Sequence, residues 1–261
     1  MSRAAAAADW TREEMMTIAA SRLLWNGCVC FVGIGLPGAA CNLARLTHAP
    51  DLVLVYESGT LGTKPDVLPL SIGDGELATT AACVIPLPEV FAWYLQAGRI
   101  DVGFLGAAQI DPYGNLNSTV IGPYDAPTTR LPGAGGATEI AAHARRTYVL
   151  LKASPRSCVA RLDFRTSGCD AGARSAGGRG PRAVITDFGV LTPDAARGEL
   201  MLDALYPGAT VEEARSCVAW PLAVAGTVRI IDPPRTEELA ALRALQARTR
   251  AAHGATSAGG R

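Results

Sequence analysis

Short apolar runs alternate along the chain with segments whose apolar residues recur at every third or fourth position. Residues 28–32 and 52–56 are continuous apolar runs, which is typical of parallel strands buried on both faces. Four later runs also predict strands, at residues 82–86, 102–107, 146–153 and 182–191. Because these strands alternate with helical segments, the pattern predicts an α/β fold with an open, mostly parallel sheet.

The first helix is predicted close to the N-terminus. Its apolar positions recur at helical spacing from Met15 to Leu23. Asp9 or Thr11 is placed to cap this helix, and Gly27 is placed to close it.

Three further segments have helical character. Pro37 suits the first turn of a helix that continues over residues 38–49, and residues 87–98 predict another. Residues 236–250 predict a terminal amphipathic helix. Its apolar face consists of Leu239, Leu242 and Leu245. We expect this face to pack on the sheet or on a partner chain.

The domain organisation follows from local composition. Residues 1–246 are expected to form one domain, with a mobile loop rich in Gly, Ala and Arg at about residues 165–182. Residues 247–261 are expected to be a disordered tail. The N-terminus lacks the apolar core of a signal peptide, and no run of 18 apolar residues predicts a membrane span. We therefore expect a cytoplasmic protein that does not contact a membrane.

Composition narrows the possible functions further. The 261 residues include 24 basic and 24 acidic side chains, and this balance argues against nucleic acid as a partner. A net charge near zero fits a chain that normally sits in an assembly. The seven cysteines contain no C-x-x-C pair, so we expect neither a metal site nor a disulfide framework. We expect Cys83 to lie in the core.

A glycine-rich turn follows the first strand and can be interpreted in two ways. Gly33, Gly35 and Gly38 spell G-x-G-x-x-G, and Glu57 ends the next strand at about the spacing of a dinucleotide-binding site. An NAD(P)-binding Rossmann oxidoreductase is therefore one alternative. Against it, Glu57 is followed at once by a second glycine turn, "SGTLG", and no nicotinamide-side residues are recognisable downstream.

The second interpretation places the chemistry on Glu57 itself. In open α/β sheets, ligands bind at the carboxyl ends of the strands, where Glu57 is predicted to lie. The neighbouring strand ends in Gly33, Ile34 and Gly35, whose backbone N–H groups can face a developing oxyanion. A carboxylate beside backbone donors suits acyl transfer through a covalent intermediate.

The same residues resemble a known family. The stretch "FVGIGLPGAACNLARLTHAPDLVLVYESGTLG" is similar to the β subunit of family I coenzyme A transferases of the glutaconate CoA-transferase type. "GFLGAAQIDPYGNLNSTVIG", "LPGAGGATEIA" and "PRAVITDFGVL" extend the resemblance to about residues 10–245. The resemblance implies a three-layer α/β/α sandwich and an enzyme that moves CoA from an acyl-CoA to a free carboxylic acid.

The resemblance also implies roles for individual residues. Glu57 would be the nucleophile that carries CoA as a glutamyl thioester, with Gly33 and Ile34 as its catalytic neighbours. Residues that would bind CoA are Gly35, Gln109, Gly133, Gly135 and Gly136. CoA and acyl-CoA would be substrates, and no cofactor would be bound permanently. Asn115 is expected to shape a turn and His143 to lie on a helix surface.

The resemblance implies a partner as well. A separate α subunit would complete the active site, in an α2β2 assembly, and this chain alone would be inactive. Two alternatives stay open: an acyl-CoA hydrolase or ring-opening enzyme of the same fold, and a subunit that only supports its partner. The intact Glu57 and glycine turns favour the transferase.

Overall fold

The computed structural model describes residues 9–168 and 180–258, with side chains described to residue 254. The helices are α1 Arg12–Ser21, α2 Leu36–Leu46, α3 Gly75–Thr79, α4 Leu87–Glu89, which continues as a π-helix over Val90–Gln96, α5 Ala137–His143, α6 Val211–Ser216 and α7 Thr236–Ala258. The strands are β1 Val29–Phe31, β2 Val53–Val55, β3 Thr60–Leu61, β4 Cys83–Val84, β5 Val102–Leu105, β6 Gln109–Ile110, β7 Leu116–Asn117, β8 Val120–Ile121, β9 Thr129–Arg130, β10 Arg146–Leu150, β11 Pro181–Ile185, β12 Gly189–Pro193, β13 Leu200–Leu205 and β14 Ala223–Ile230.

One large sheet carries ten of these strands. Their order is β14-β13-β12-β11-β10-β5-β1-β2-β3-β4. The five central strands, from β11 to β2, all run parallel. Antiparallel pairing extends the sheet on both sides, through β3 and β4 at one side and β12 and β13 at the other. The predicted open, mostly parallel sheet is confirmed, and its antiparallel flanks are an addition to the prediction.

Helices cover both faces of the sheet, which gives the expected three layers. Helices α1, α2 and α7 lie over one face, and α7 packs on the other two through Leu239 and Leu242 against Ile18 and Leu43. The π-helix, α5 and α6 lie over the other face. A Cβ atom at Gly103 would be 2.5 Å from Ile140 Cγ2, so this glycine lets α5 lie directly against β5.

The first helix is capped as its sequence predicts but is shorter. The Thr11 side chain accepts a hydrogen bond from Glu14 N, and the Glu14 carboxylate accepts one from Thr11 N, which forms a capping box. The helix ends at Ser21, six residues before Gly27, and turns at Leu23 and Leu24 follow it.

The predicted strand at residues 182–191 is instead a hairpin of β11 and β12. Thr186 makes the turn, because its N–H and its hydroxyl both donate to the Gly189 carbonyl, at 2.9 and 2.8 Å. The sequence there lacks the Asn-Gly or Asp-Gly pair that is typical of tight hairpin turns, so the pattern predicts one continuous strand.

The structure describes both ends of the predicted loop and most of the predicted tail. Thr166 and Ser167 hydrogen-bond to the β7 region, and β11 begins at Pro181, so both ends of the predicted mobile loop are held. Residues 169–179 of that loop lie outside the described residues. The predicted disordered tail is helical up to Ala258, since Thr249 and His253 anchor α7 to the backbone of Leu68.

Two observations concern the surface. Cys83 is exposed on the edge strand β4 rather than buried in the core, because β4 pairs with only one neighbour. Among the described residues, none of the helices is both long enough and apolar enough to cross a lipid bilayer.

Candidate active site

Glu57 lies two residues beyond the carboxyl end of β2, in a tight turn. Gly59 N donates to Tyr56 O at 3.0 Å, and Tyr56 N donates to Thr60 O at 3.1 Å. Gly59 has a φ of +101°, and a Cβ atom there would be 2.0 Å from Ile85 O. The turn therefore requires glycine, and it holds the half-buried Glu57 side chain at the edge of the sheet where ligands bind in such folds.

The glycine turn after β1 lies beside Glu57. Strands β1 and β2 are parallel, and Val32 N donates to Val55 O at 3.0 Å, so both strands leave the sheet side by side. Gly35 has a φ of +80° and starts α2. Within the described part of the chain, the N–H groups of Gly33, Ile34 and Gly35 have no hydrogen-bond acceptor. They are thus available to a substrate oxygen.

The second glycine turn reaches the Glu57 carboxyl group itself. A Cβ atom at Gly135 would be 3.9 Å from Glu57 Oε2, and one at Gly136 would be 3.4 Å from Glu57 Cδ. Gly133 fixes the start of this turn, since its N–H donates to Ser118 O and its carbonyl accepts from Ser118 Oγ. The structure thus places Gly135 and Gly136 against the Glu57 carboxyl group.

Gln109 is already engaged within the protein. Its Nε2 donates to Asp163 Oδ2 at 3.0 Å, and its Oε1 accepts from Asn117 Nδ2 at 2.7 Å. Gln109 is buried, and its amide therefore ties β6 and β7 to the segment at Asp163. This arrangement favours a structural role over direct contact with CoA. Asn115 shapes a turn, as expected, by bonding to Asp111.

The two arginines that follow α5 contact other residues at the amino-terminal ends of the parallel strands. Arg145 pairs with Asp101 at 3.0 Å, and the Arg146 guanidinium lies over the Trp25 ring. Both arginines lie at the amino-terminal end of β10, whereas Glu57 follows a carboxyl end. His143 lies on the surface and contacts Glu139 at 3.2 Å.

Two of the buried cysteines are poor nucleophiles, because the reactive form of cysteine is the thiolate. Burial raises the pKa of Cys158 to about 11 and the pKa of Cys30 well above its ordinary value. Burial also raises the pKa of the Tyr56 phenol, which keeps it protonated beside Glu57 in the chain.

Two features of this site were missed by the sequence analysis. Ser58 and Thr60 follow Glu57 in the turn. Their hydroxyl oxygens are buried and have no hydrogen-bond partner among the described residues. Phe91, on the π-helix, reaches Gly136 with its ring edge. The E-S-G stretch could have directed attention to Ser58, whereas nothing in the apolar segment around Phe91 distinguishes a site residue from a core residue.

Comparisons with known proteins identify the family of this chain. The family described as "Coenzyme A transferase" matches residues 13–215. The B subunit of the 3-oxoadipate CoA-transferase of Pseudomonas knackmussii is 53% identical over 251 residues, covering 94% of this chain and 96% of the relative. The B subunit of the glutaconate CoA-transferase of Acidaminococcus fermentans is 32% identical over 238 residues, covering 86% of this chain and 88% of the relative.

A solved structure supports the same assignment. The glutaconate coenzyme A-transferase of Acidaminococcus fermentans superposes with a TM-score of 0.84 at 31% identity, covering 90% of this chain and 94% of that one. The Rossmann oxidoreductase, the hydrolase and the ring-opening enzyme are not favoured by these matches. The chain therefore belongs to the coenzyme A transferase family and aligns over most of its length with the B subunits of two of its enzymes.

Proposed function

We propose that this chain is the B subunit of a heteromeric CoA-transferase in which Glu57 carries CoA as a glutamyl thioester. The observation that carries the proposal is the position of the Glu57 carboxyl group. It lies within 3.4 Å of the Cβ position of Gly136, beside a strand end whose N–H groups have no acceptor among the described residues. A carboxylate in such a setting can attack a carbonyl whose oxyanion those N–H groups stabilise.

The proposed reaction has two steps for the donor and two for the acceptor. A Glu57 carboxylate oxygen attacks the acyl carbon of the donor acyl-CoA, the C–S bond breaks, and CoA leaves as its thiolate. The sulfur of that thiolate then attacks the glutamyl carbonyl carbon of the mixed anhydride and releases the donor carboxylate. The acceptor carboxylate repeats both steps in reverse, so the thioester bond is preserved and Glu57 is regenerated.

In this proposal the backbone N–H groups stabilise the oxyanion, and the glycine turns make room for CoA. Gly33 and Ile34 direct N–H groups at the oxyanion of each tetrahedral intermediate. Gly35, Gly133, Gly135 and Gly136 leave room for the thioester end of CoA to approach the backbone. In this proposal CoA is the substrate, and no cofactor is bound permanently.

The partner completes the enzyme. The matched relatives are named as B subunits, which supports a separate α subunit as the second chain, and we propose an α2β2 assembly. The assembly acts in the cytoplasm on an acyl-CoA and a free carboxylic acid.

The acceptor is proposed to be a dicarboxylic acid. The names of the two matched relatives contain 3-oxoadipate and glutaconate, which both carry two carboxyl groups. A panel of 3-oxoadipate, glutaconate, acetate and acetoacetate, each offered as CoA acceptor to the complex, tests this. Preference for the two dicarboxylates supports the proposal, and equal or better use of acetate contradicts it.

Trapping the covalent intermediate tests the central claim. The complex of this chain with its partner subunit is incubated with acyl-CoA, and the mass of this chain is measured. We expect a CoA adduct on Glu57 that is absent in Glu57→Gln, and transfer lowered at least about 10³-fold in that variant. Glu237→Gln, on the exposed side of α7, is the matched control and should keep the adduct. Steady release of free CoA without any adduct would instead indicate a hydrolase.

A further inference from the structure

Phe91 and Glu57 both lie close to the space that a side chain at position 136 would occupy. A Cβ atom at Gly136 would be 2.9 Å from Phe91 Cζ, 3.1 Å from Phe91 Cε1 and 3.4 Å from Glu57 Cδ. The ring edge and the carboxyl carbon therefore both lie within 3.4 Å of one point. A side chain at position 136 would occupy the space that these two groups border.

The Phe91 ring is held firmly in this place. Its centroid is 6.0 Å from that of Phe31, with the two ring planes tilted by 52°. Phe31 is buried at the end of β1, and Val90 and Leu95 anchor the π-helix in the core. Gln96 of the same helix bonds to Glu139 of α5 at 3.2 Å. π-helical turns often accompany functional sites.

From this geometry we propose that Phe91 is a positioning residue that shields the glutamyl-CoA thioester from water. The inference rests on the proposed function, because the thioester forms only if Glu57 is the nucleophile. The ring edge carries partial positive charge, so it also favours the free carboxylate in its working position.

Shielding matters because two reactions compete for the same carbon. In hydrolysis, a water oxygen attacks the glutamyl carbonyl carbon, the C–S bond breaks, and CoA-SH, the Glu57 carboxylate and one proton result. In transfer, the acceptor carboxylate attacks that carbon instead. A side chain that occupies the space beside the carbon excludes water from it. Loss of the ring opens room for a water molecule, which takes up about 30 Å³ in the liquid.

The test measures how each enzyme divides the thioester between transfer and hydrolysis. Phe91→Ala and Phe91→Leu are prepared in the complex with the partner subunit, and both the CoA adduct and free CoA are followed. We expect the hydrolysed share to rise at least about fivefold in Phe91→Ala and less in Phe91→Leu, which restores part of the bulk.

Phe188→Leu is the matched control. Phe188 is buried in the same core cluster, but three strands separate β11 from β2. The control should leave the hydrolysed share unchanged even if stability falls. An unchanged share in both Phe91 variants would overturn the inference, as would an equal rise in Phe188→Leu. If the wild-type complex forms no adduct on Glu57, the proposed function itself fails, and the two failures are thus distinguishable.

Discussion

At the level of single residues, Gly136 decides how closely the second glycine turn approaches Glu57. An alanine there would place its Cβ 2.9 Å from Phe91 and 3.4 Å from the carboxyl carbon, so the ring must move away from this space beside Glu57. A displacement of about 1 Å can cost about 10²-fold in rate. We expect Gly136→Ala to lower the transfer rate by about tenfold or more.

The kcat and the thermal stability of Gly136→Ala are both measured and compared with those of wild type. Gly75→Ala is the control, because nothing lies within 4 Å of its Cβ position. A Gly136→Ala enzyme with unchanged kcat would show that the contact among Gly136, Phe91 and Glu57 has no role in catalysis.

The sequence predicts the nucleophile better than its surroundings. Glu57 is recognisable because a buried apolar run ends just before it and a glycine turn follows. Phe91 is not recognisable, because its contact with Gly136 joins residues 45 positions apart through the packing of α5 on the π-helix. For Gln109 the sequence suggests a site residue that the structure does not support. Its polar side chain suggests a ligand contact, but its amide group hydrogen-bonds to Asp163 and Asn117.

At the level of elements, the Glu14 carboxylate is one of the groups that join α1 to α7. Glu14 bonds to Thr11 in the capping box and accepts a hydrogen bond from Arg243 Nε of α7 at 2.7 Å. The Arg243 guanidinium holds the pKa of Glu14 below its usual value of about 4.5, although burial of the carboxyl group opposes this.

This depressed pKa predicts a pH dependence. The ionised Glu14 stabilises the fold above about pH 4.5, and that contribution is lost as the pH falls through the lower folded-state value. We expect Glu14→Gln to lower the free energy of unfolding by about 1–2 kcal/mol at pH 7, with the difference from wild type shrinking below about pH 4.5. Urea unfolding from pH 7 to pH 3 measures this. Glu237→Gln should track wild type throughout, and a gap in Glu14→Gln that persists at pH 3 would contradict the assignment.

Elements are most readily predicted where a continuously apolar run marks a buried strand. The central strands β1 and β2 follow from their runs, whereas the short strands β6 to β9 and the flanking strands β13 and β14 were not predicted. Two-residue strands carry too few positions to show a period. Helix α7 extends beyond its predicted end because Thr249 and His253 hydrogen-bond to the backbone of Leu68. Leu68 is distant in sequence, so the local pattern around α7 cannot predict this contact.

At the level of the whole molecule, the candidate site lies near one edge of the large sheet. The turn that carries Glu57 packs against the backbone at Ile85, next to the edge strand β4. Val84 of β4, Leu87 of α4 and Trp93 of the π-helix follow in the chain, and their side chains are large, apolar and exposed. Apolar side chains that form a contiguous exposed patch often mark a surface that binds another protein.

We therefore expect activity to depend on assembly with the α subunit. The chain purified alone should fold but show no CoA transfer and no adduct on Glu57, and adding the α subunit should restore both. Light scattering of the complex should give the mass of two copies of each chain. Circular dichroism of the isolated chain separates an inactive fold from a lost one. Because Glu57 and its glycine turns belong to this chain, full transfer activity without the partner would show that they form a complete site and would remove the physical reason for the heteromer.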